Sequence, residues 1–100
     1  DRGVSVATAT AFPNPCNPLT TIAMAVPTGS LADGTNTVLR VFDIRGALVK
    51  TIAGGNLANN RITIQWNGTT DSGNVVASGR YLYVMQSGDL VAKGNVTLVR

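Results

Sequence analysis

The chain contains no glutamate and no histidine, and charged residues make up only 13% of its 100 positions. Most general acid–base relays, zinc sites and activated nucleophiles are built from those two residue types. The sequence therefore predicts a protein that is not an enzyme and that holds no metal and no cofactor. Its best acidic candidates, Asp43, Asp71 and Asp89, fall in or beside predicted turns, where aspartate is ordinarily structural.

Cysteine and long apolar runs are also scarce. Cys16 is the only cysteine, which excludes an intrachain disulfide and favours a small apolar packing role for this side chain. No run approaches the roughly 18 apolar residues of a membrane-spanning helix. Because the chain starts at Asp1 without a methionine, we expect it to begin after processing or to come from a longer protein.

The basic residues stand apart from one another. Six arginines and two lysines against five aspartates give a formal net charge of +3, and no two basic residues are adjacent. Nucleic-acid-binding proteins usually carry a dense basic stripe, often with interleaved aromatic residues. We therefore expect no nucleic-acid partner and assign these charges to solvated strand faces and turns.

The residues that are abundant favour strands. Valine and threonine number 12 each, and apolar and polar positions alternate between turn signals. The alternation predicts seven strands, at 4–12, 22–26, 38–44, 47–52, 61–66, 80–87 and 90–99. This pattern predicts one all-β domain over residues 1–100, an immunoglobulin-like antiparallel β-sandwich of about seven strands with Trp66 in its core.

The N-terminal region divides into two parts. Residues 1–12 read as a strand or arm, and residues 13–18 as a proline-rich connector that excludes helix and central strand pairing.

The connection between Trp66 and Tyr81 is long for so small a domain, so we expect it to have its own packing. Three of its residues suit a positive φ angle: Gly68, Gly73 and Gly79. We expect Asx-turns at Asn67 and Asp71 and anchoring of the loop by Val75 and Val76.

Other interpretations of these residues stay open. The oxygens of Asn67, Thr69 and Asp71 are spaced as in a calcium loop, although the bidentate glutamate is absent, and a self-capped structural loop is favoured. Lys50 or Lys93 could form an isopeptide bond with an asparagine. Three aromatic side chains could line a carbohydrate-binding face: Trp66, Tyr81 and Tyr83.

Three ordered motifs resemble a known family over about positions 11 to 100. They are the opening Phe12-Pro13-Asn14-Pro15-Cys16-Asn17-Pro18, the hairpin from Val41 to Ile52, and the segment from Trp66 to Tyr81. Together they resemble the Ig-like C-terminal modules of secreted bacterial proteins, which are related to the Ig-like domain of the flagellar hook-capping protein. The structural residues that carry this resemblance are Pro13, Asn14, Pro15, Asp43, Gly46, Trp66, Gly68, Asp71, Gly73, Gly79 and Tyr81. The sequence departs from the family at Cys16, where a large aromatic is usual, and at Asn67, where aspartate is usual.

The resemblance implies a non-catalytic role outside the bacterial cell or at its surface. Many such modules act as sorting signals for the type IX secretion system, whose machinery would be the protein partner. We expect the terminal strand and its adjacent loop to be the recognised surface, through Lys93, Val96, Leu98, Val99 and Arg100.

The alternative is a structural subunit of an extracellular filament. Its N-terminal arm, with Val4, Val6 and Phe12, would add as a strand to a neighbouring copy, and the connector would span the distance between the two copies. Pairing of the arm within its own sandwich is the favoured interpretation.

Overall fold

The computed structural model describes residues 5–15, 18–27, 33 and 35–99, and in these residues nine strands form two facing sheets and no helix. The strands are β1 (Ser5–Val6), β2 (Ala9–Phe12), β3 (Thr20–Ala25), β4 (Thr37–Phe42), β5 (Leu48–Ala53), β6 (Asn56–Ala58), β7 (Arg61–Trp66), β8 (Gly79–Ser87) and β9 (Leu90–Leu98). One sheet has the order β1-β9-β8-β4-β5 and the other the order β2-β3-β7-β6. The immunoglobulin-like β-sandwich class is confirmed.

The N-terminal strand is divided between the two sheets, which corrects the single strand predicted from Val4 to Phe12. β1 runs parallel to β9, whereas β2 runs antiparallel to β3. At the crossing, the Ala7 N–H donates to Val91 O, and Thr8 O accepts from the Ala25 N–H. Two consecutive residues thus bond to different sheets, so the sandwich is not purely antiparallel.

The other strand boundaries differ by a few residues, and β6 was not predicted. β4 ends at Phe42 rather than at residue 44 because Asp43 starts a tight turn. Its Oδ1 accepts hydrogen bonds from the Arg45 and Ala47 N–H groups at 2.9 and 3.0 Å, and Gly46 has a φ of +89°. The bond from Ala47 in particular lowers the pKa of Asp43.

The core lies between the sheets and follows the predicted alternation. Trp66 is 1% exposed, as expected for a core residue. The buried cluster consists of Ile22, Met24, Leu39, Val41, Ile62, Ile64, Trp66, Tyr81, Tyr83, Met85, Leu90, Ala92, Val96 and Leu98. Burial of this set is the main stabilising contribution.

Candidate interaction edges of the five-stranded sheet

Among the described residues, the strand that pairs with the outer side of β9 is β1, which is two residues long. The register pairs Ser5 with Leu90 and Val6 with Val91, and the Ala7 N–H then donates to Val91 O at 2.8 Å. Since backbone groups alternate in direction along a strand, the odd-numbered residues of β9 after Val91 also direct their N–H and C=O groups away from β8.

Asn14 closes the far end of this edge. Its Oδ1 accepts a hydrogen bond from the Thr97 N–H at 3.0 Å, and its Nδ2 donates to Asn95 O at 3.3 Å. The connector reaches β9 through a bend that contains two cis peptide bonds, Phe12–Pro13 and Asn14–Pro15. One side-chain amide therefore supplies the two hydrogen bonds that a neighbouring strand would make.

An open stretch remains between these two contacts. The outward N–H and C=O of Lys93 and the outward N–H of Asn95 have no partner among the described residues. We call these three groups the open β9 edge. Unpaired backbone groups of this kind can accept an added strand from another polypeptide.

The opposite edge of the same sheet is covered by the long loop. The Asp71 N–H donates to Val49 O at 3.2 Å, and Asp71 Oδ1 accepts from the Thr51 N–H at 3.0 Å. Lys50 Nζ adds a hydrogen bond to Thr70 O. Asp71 thus bonds the outward backbone groups of β5 as Asn14 bonds those of β9. The local Asx-turn predicted at Asp71 is therefore wrong.

Replacing Asp71 with alanine should lower the free energy of unfolding by about 1 kcal/mol, because the Thr51 N–H loses its acceptor. Asp71→Asn keeps an oxygen acceptor and should cost clearly less. Urea denaturation of both variants, with and without calcium, gives the comparison. If asparagine is as damaging as alanine, the negative charge is needed and the edge-closing role is wrong.

Two buried aromatic side chains anchor the long loop to the core. Trp66 Nε1 donates to Thr69 O at 2.9 Å, and the Tyr81 hydroxyl donates to Ala77 O at 2.6 Å. The rings meet edge to face, with centroids 5.4 Å apart. The Tyr81 contact resembles the tyrosine corner of immunoglobulin sandwiches.

The predicted apolar anchoring of the loop is correct for one of its two valines. Val76 packs against the core, but Val75 is 69% exposed, so the expectation that both residues pin the loop was wrong for Val75. The carbohydrate-binding alternative is also corrected, because its three aromatic residues belong to the buried core and form no exposed aromatic face: Trp66, Tyr81 and Tyr83. As predicted, three glycines of this region have positive φ angles: Gly68, Gly73 and Gly79.

The geometry does not favour the calcium alternative. Asn67 Oδ1 accepts from the Thr69 hydroxyl at 2.6 Å, and Asp71 Oδ1 is bonded to β5. Among the described residues, no three cysteine or aspartate side chains come together in an arrangement that could hold a metal ion.

The isopeptide alternative is not favoured either, because it requires a buried lysine beside an asparagine. Lys93 is exposed, and Lys50 Nζ donates a hydrogen bond to a backbone carbonyl.

The predicted terminal-strand residues occupy different environments. Lys93 and Val99 are exposed, whereas Val96 and Leu98 are 0% and 1% exposed, so a partner cannot reach these two side chains directly. This corrects their assignment to the recognised surface and leaves them as packing residues that hold β9 in place. Arg100, Val4 and Cys16 lie outside the described residues. Of the predicted arm, Val6 lies in β1, and Phe12 ends β2 with half its surface exposed.

Asn14 is the residue whose contribution the sequence did not reveal. Its position between two prolines suggested a structural motif, but its partners lie 81 and 83 residues further along the chain. A pattern read along the sequence carries no signal for contacts of that separation.

Comparison with protein families gives a match over residues 23–90 to the family described as FlgD Ig-like domain. No curated protein matches the chain. The described residues contain no helix that is long and apolar enough to cross a membrane.

Solved structures with the same fold include parts of several larger bacterial proteins. Dimeric latent PorU from Porphyromonas gingivalis matches at 26% identity and a TM-score of 0.69, over 93% of this chain and 9% of PorU. PorZ of the same species, described as an essential surface component of its type IX secretion system, matches at 19% identity and a TM-score of 0.58, over 92% of this chain and 11% of PorZ. FlgD from Xanthomonas campestris, described in terms of hook capping in flagellar assembly, matches at 21% identity and a TM-score of 0.59, over 95% of this chain and 63% of FlgD.

Proposed function

The chain belongs to the FlgD Ig-like domain family, and from that premise we propose that it is a non-catalytic extracellular module that sorts and attaches a larger protein through a bacterial type IX secretion system. In this role it would be the C-terminal domain of its parent protein. Its partners would be proteins of the secretion machinery.

The size relation to PorU is the observation that carries this proposal. Nearly the whole chain matches a segment that makes up only 9% of PorU, at 26% identity. A unit of this size and fold therefore occurs as one module of a much larger protein. PorZ, from the same species, contains a similar module and is described as part of a type IX secretion system.

The sheet edge supplies a physical basis for recognition. The open β9 edge offers backbone groups to which a receptor segment can bind, and Lys93 adds an exposed side chain there. The exposed Val99 follows four residues after Asn95. The buried side chains of Val96 and Leu98 fix the position of this edge. A receptor that binds here would recognise the folded module rather than a linear signal.

We expect a reporter fused ahead of the module to reach the surface of a bacterium that carries a type IX secretion system, and the same reporter without the module to stay inside. Asn95→Pro should lower export at least tenfold. The proline removes an outward N–H of the open β9 edge and leaves the bonds to β8 in place. Surface labelling and immunoblotting of cell fractions measure the export.

Ala53→Pro is the matched control. Ala53 lies two residues after Thr51 on β5, so it too directs its N–H away from the sheet, at the opposite edge. This variant should be exported like the parent fusion, provided that both proline variants unfold at similar temperatures. Normal export of Asn95→Pro would exclude the β9 edge as the recognised surface, and retention of the parent fusion would refute the sorting function itself.

Assembly into a filament by strand addition is the second candidate, and the short β1 pairing favours it. Among the described residues, Ser5 and Val6 pair with β9 and Ala7 adds one backbone hydrogen bond to Val91, so few hydrogen bonds hold this first part of the arm on β9. Cysteines at Val6 and Val91, in a Cys16→Ser background, can be joined with a short crosslinker. Crosslinked multimers, together with fibres in negative-stain electron microscopy, would support the filament subunit; monomeric products alone would refute it.

A further inference from the structure

The outer face of the five-stranded sheet combines positive charge with exposed apolar side chains. It is formed by the residues of β4, β5, β8 and β9 whose side chains point away from the facing sheet. Register places Arg40, Val84 and Lys93 side by side on β4, β8 and β9. Leu48, Phe42 and Leu82 form the adjacent row on β5, β4 and β8.

The cations of this face have no acidic partner among the described residues. The side chains of Arg40, Arg80 and Lys93 make no ion pair or hydrogen bond to a described residue. The salt bridge found in the described residues joins Arg45 to Asp43 in the β4–β5 turn. No aspartate lies on the outer face of these four strands, so its three positive charges are not offset locally.

The apolar row lies between and beside these charges. Leu82 is 40% exposed and Leu48 is 53% exposed, and half-buried Phe42 connects them across the sheet. Arg40 and Lys93 are two strand spacings apart, which places their Cα atoms at about 10 Å from each other on either side of Val84. Arg80 lies two residues before Leu82 on β8.

We propose that this outer face is a docking surface for an acidic protein partner, with an apolar side chain seated on Leu82 and Phe42 and carboxylates paired with Arg40, Arg80 and Lys93. Charge complementarity favours an anionic partner. The apolar row favours a protein over a nucleic acid or an anionic polysaccharide, since neither of these offers aliphatic groups to cover it. The surface borders the open β9 edge at Lys93, but it is made of side chains on the sheet face and not of backbone groups at the edge, so the inference does not depend on sorting through that edge.

The test uses the complete chain labelled with nitrogen-15 and a synthetic peptide in which a Leu-Phe pair is flanked by glutamates on both sides. We expect the peptide to shift the amide signals of Arg40, Leu82 and Lys93, with binding that weakens as salt is raised. The same peptide with glutamine in place of glutamate should bind at least tenfold more weakly.

Variants locate the binding to this face. Arg40→Glu combined with Lys93→Glu should weaken binding of the acidic peptide at least tenfold. Arg61→Glu, which reverses an exposed charge on the other sheet, should change it less than twofold. If the variant with both glutamates does not fold, Arg40→Gln combined with Lys93→Gln is used in its place. Equal binding of the glutamine peptide, or an equal loss in Arg61→Glu, would overturn the proposal, as would stronger binding of heparin or oligothymidylate to the same amides.

Discussion

Gly94→Ala is expected to lower the free energy of unfolding by about 1–3 kcal/mol, as overpacking of a close-packed interior usually does. Gly94 lies directly opposite Tyr83 in the β8–β9 pair. A Cβ atom at this position would lie 2.5 Å from Cζ of the Tyr83 ring. Tyr83 is 2% exposed, so its ring has little free space into which it can move. The same burial raises the pKa of its hydroxyl.

Chemical denaturation of three variants tests this explanation. Asn95→Ala, at the exposed neighbouring residue, should stay within about 0.5 kcal/mol of the parent. In a Tyr83→Leu background, which shortens the opposing side chain, Gly94→Ala should cost less than in the parent. An equal cost in both backgrounds would show that the glycine is required for a reason other than the Tyr83 ring.

Trp66→Phe is expected to lower the free energy of unfolding by about 2 kcal/mol. The smaller ring leaves part of the core unfilled, and Thr69 O loses the hydrogen bond from Nε1. Because Tyr81 packs edge-on against Trp66, the loss should extend to the second anchor of the loop. Circular dichroism during urea denaturation measures stability, and amide shifts of residues 68–78 report on the loop.

Gln65→Ala is the control, since Gln65 is the exposed neighbour of Trp66 on β7. It should leave both the stability and the loop signals nearly unchanged. If Trp66→Phe lowers stability but does not move the loop signals, the loop is held by its own hydrogen bonds and by Asp71. The anchoring role assigned to Trp66 would then be wrong.

Local alternation was sufficient to predict most of this fold. Ile22 and Met24, or Leu39 and Val41, alternate with polar or small residues because one face of each strand is buried. The turn at Asp43 could also be predicted from the sequence, because its short side chain accepts hydrogen bonds from N–H groups within four residues. These features depend on neighbours in sequence.

The features that shape the candidate site depend on distant neighbours. Asn14 and Thr97 are 83 residues apart, and Asp71 reaches Thr51 across 20 residues. Asp71 was predicted to form a local turn and Asn14 to be part of the proline-rich connector, because nothing along the chain indicates which sheet edge will lie beside them. Val96 and Leu98 were assigned to recognition for the same reason: their position near the terminus suggested access, whereas the inward side of β9 buries them.

Hydrogen exchange of the β9 amides in the native protein tests the open edge most directly. The amides of Ala92 and Val96 face β8 and should exchange slowly, whereas those of Lys93 and Asn95 should exchange at least tenfold faster. Thr97 should be protected in the parent and lose that protection in Asn14→Ala. Slow exchange at Lys93 and Asn95, equal to that at Ala92 and Val96, would show that the edge is already covered and would contradict recognition through it.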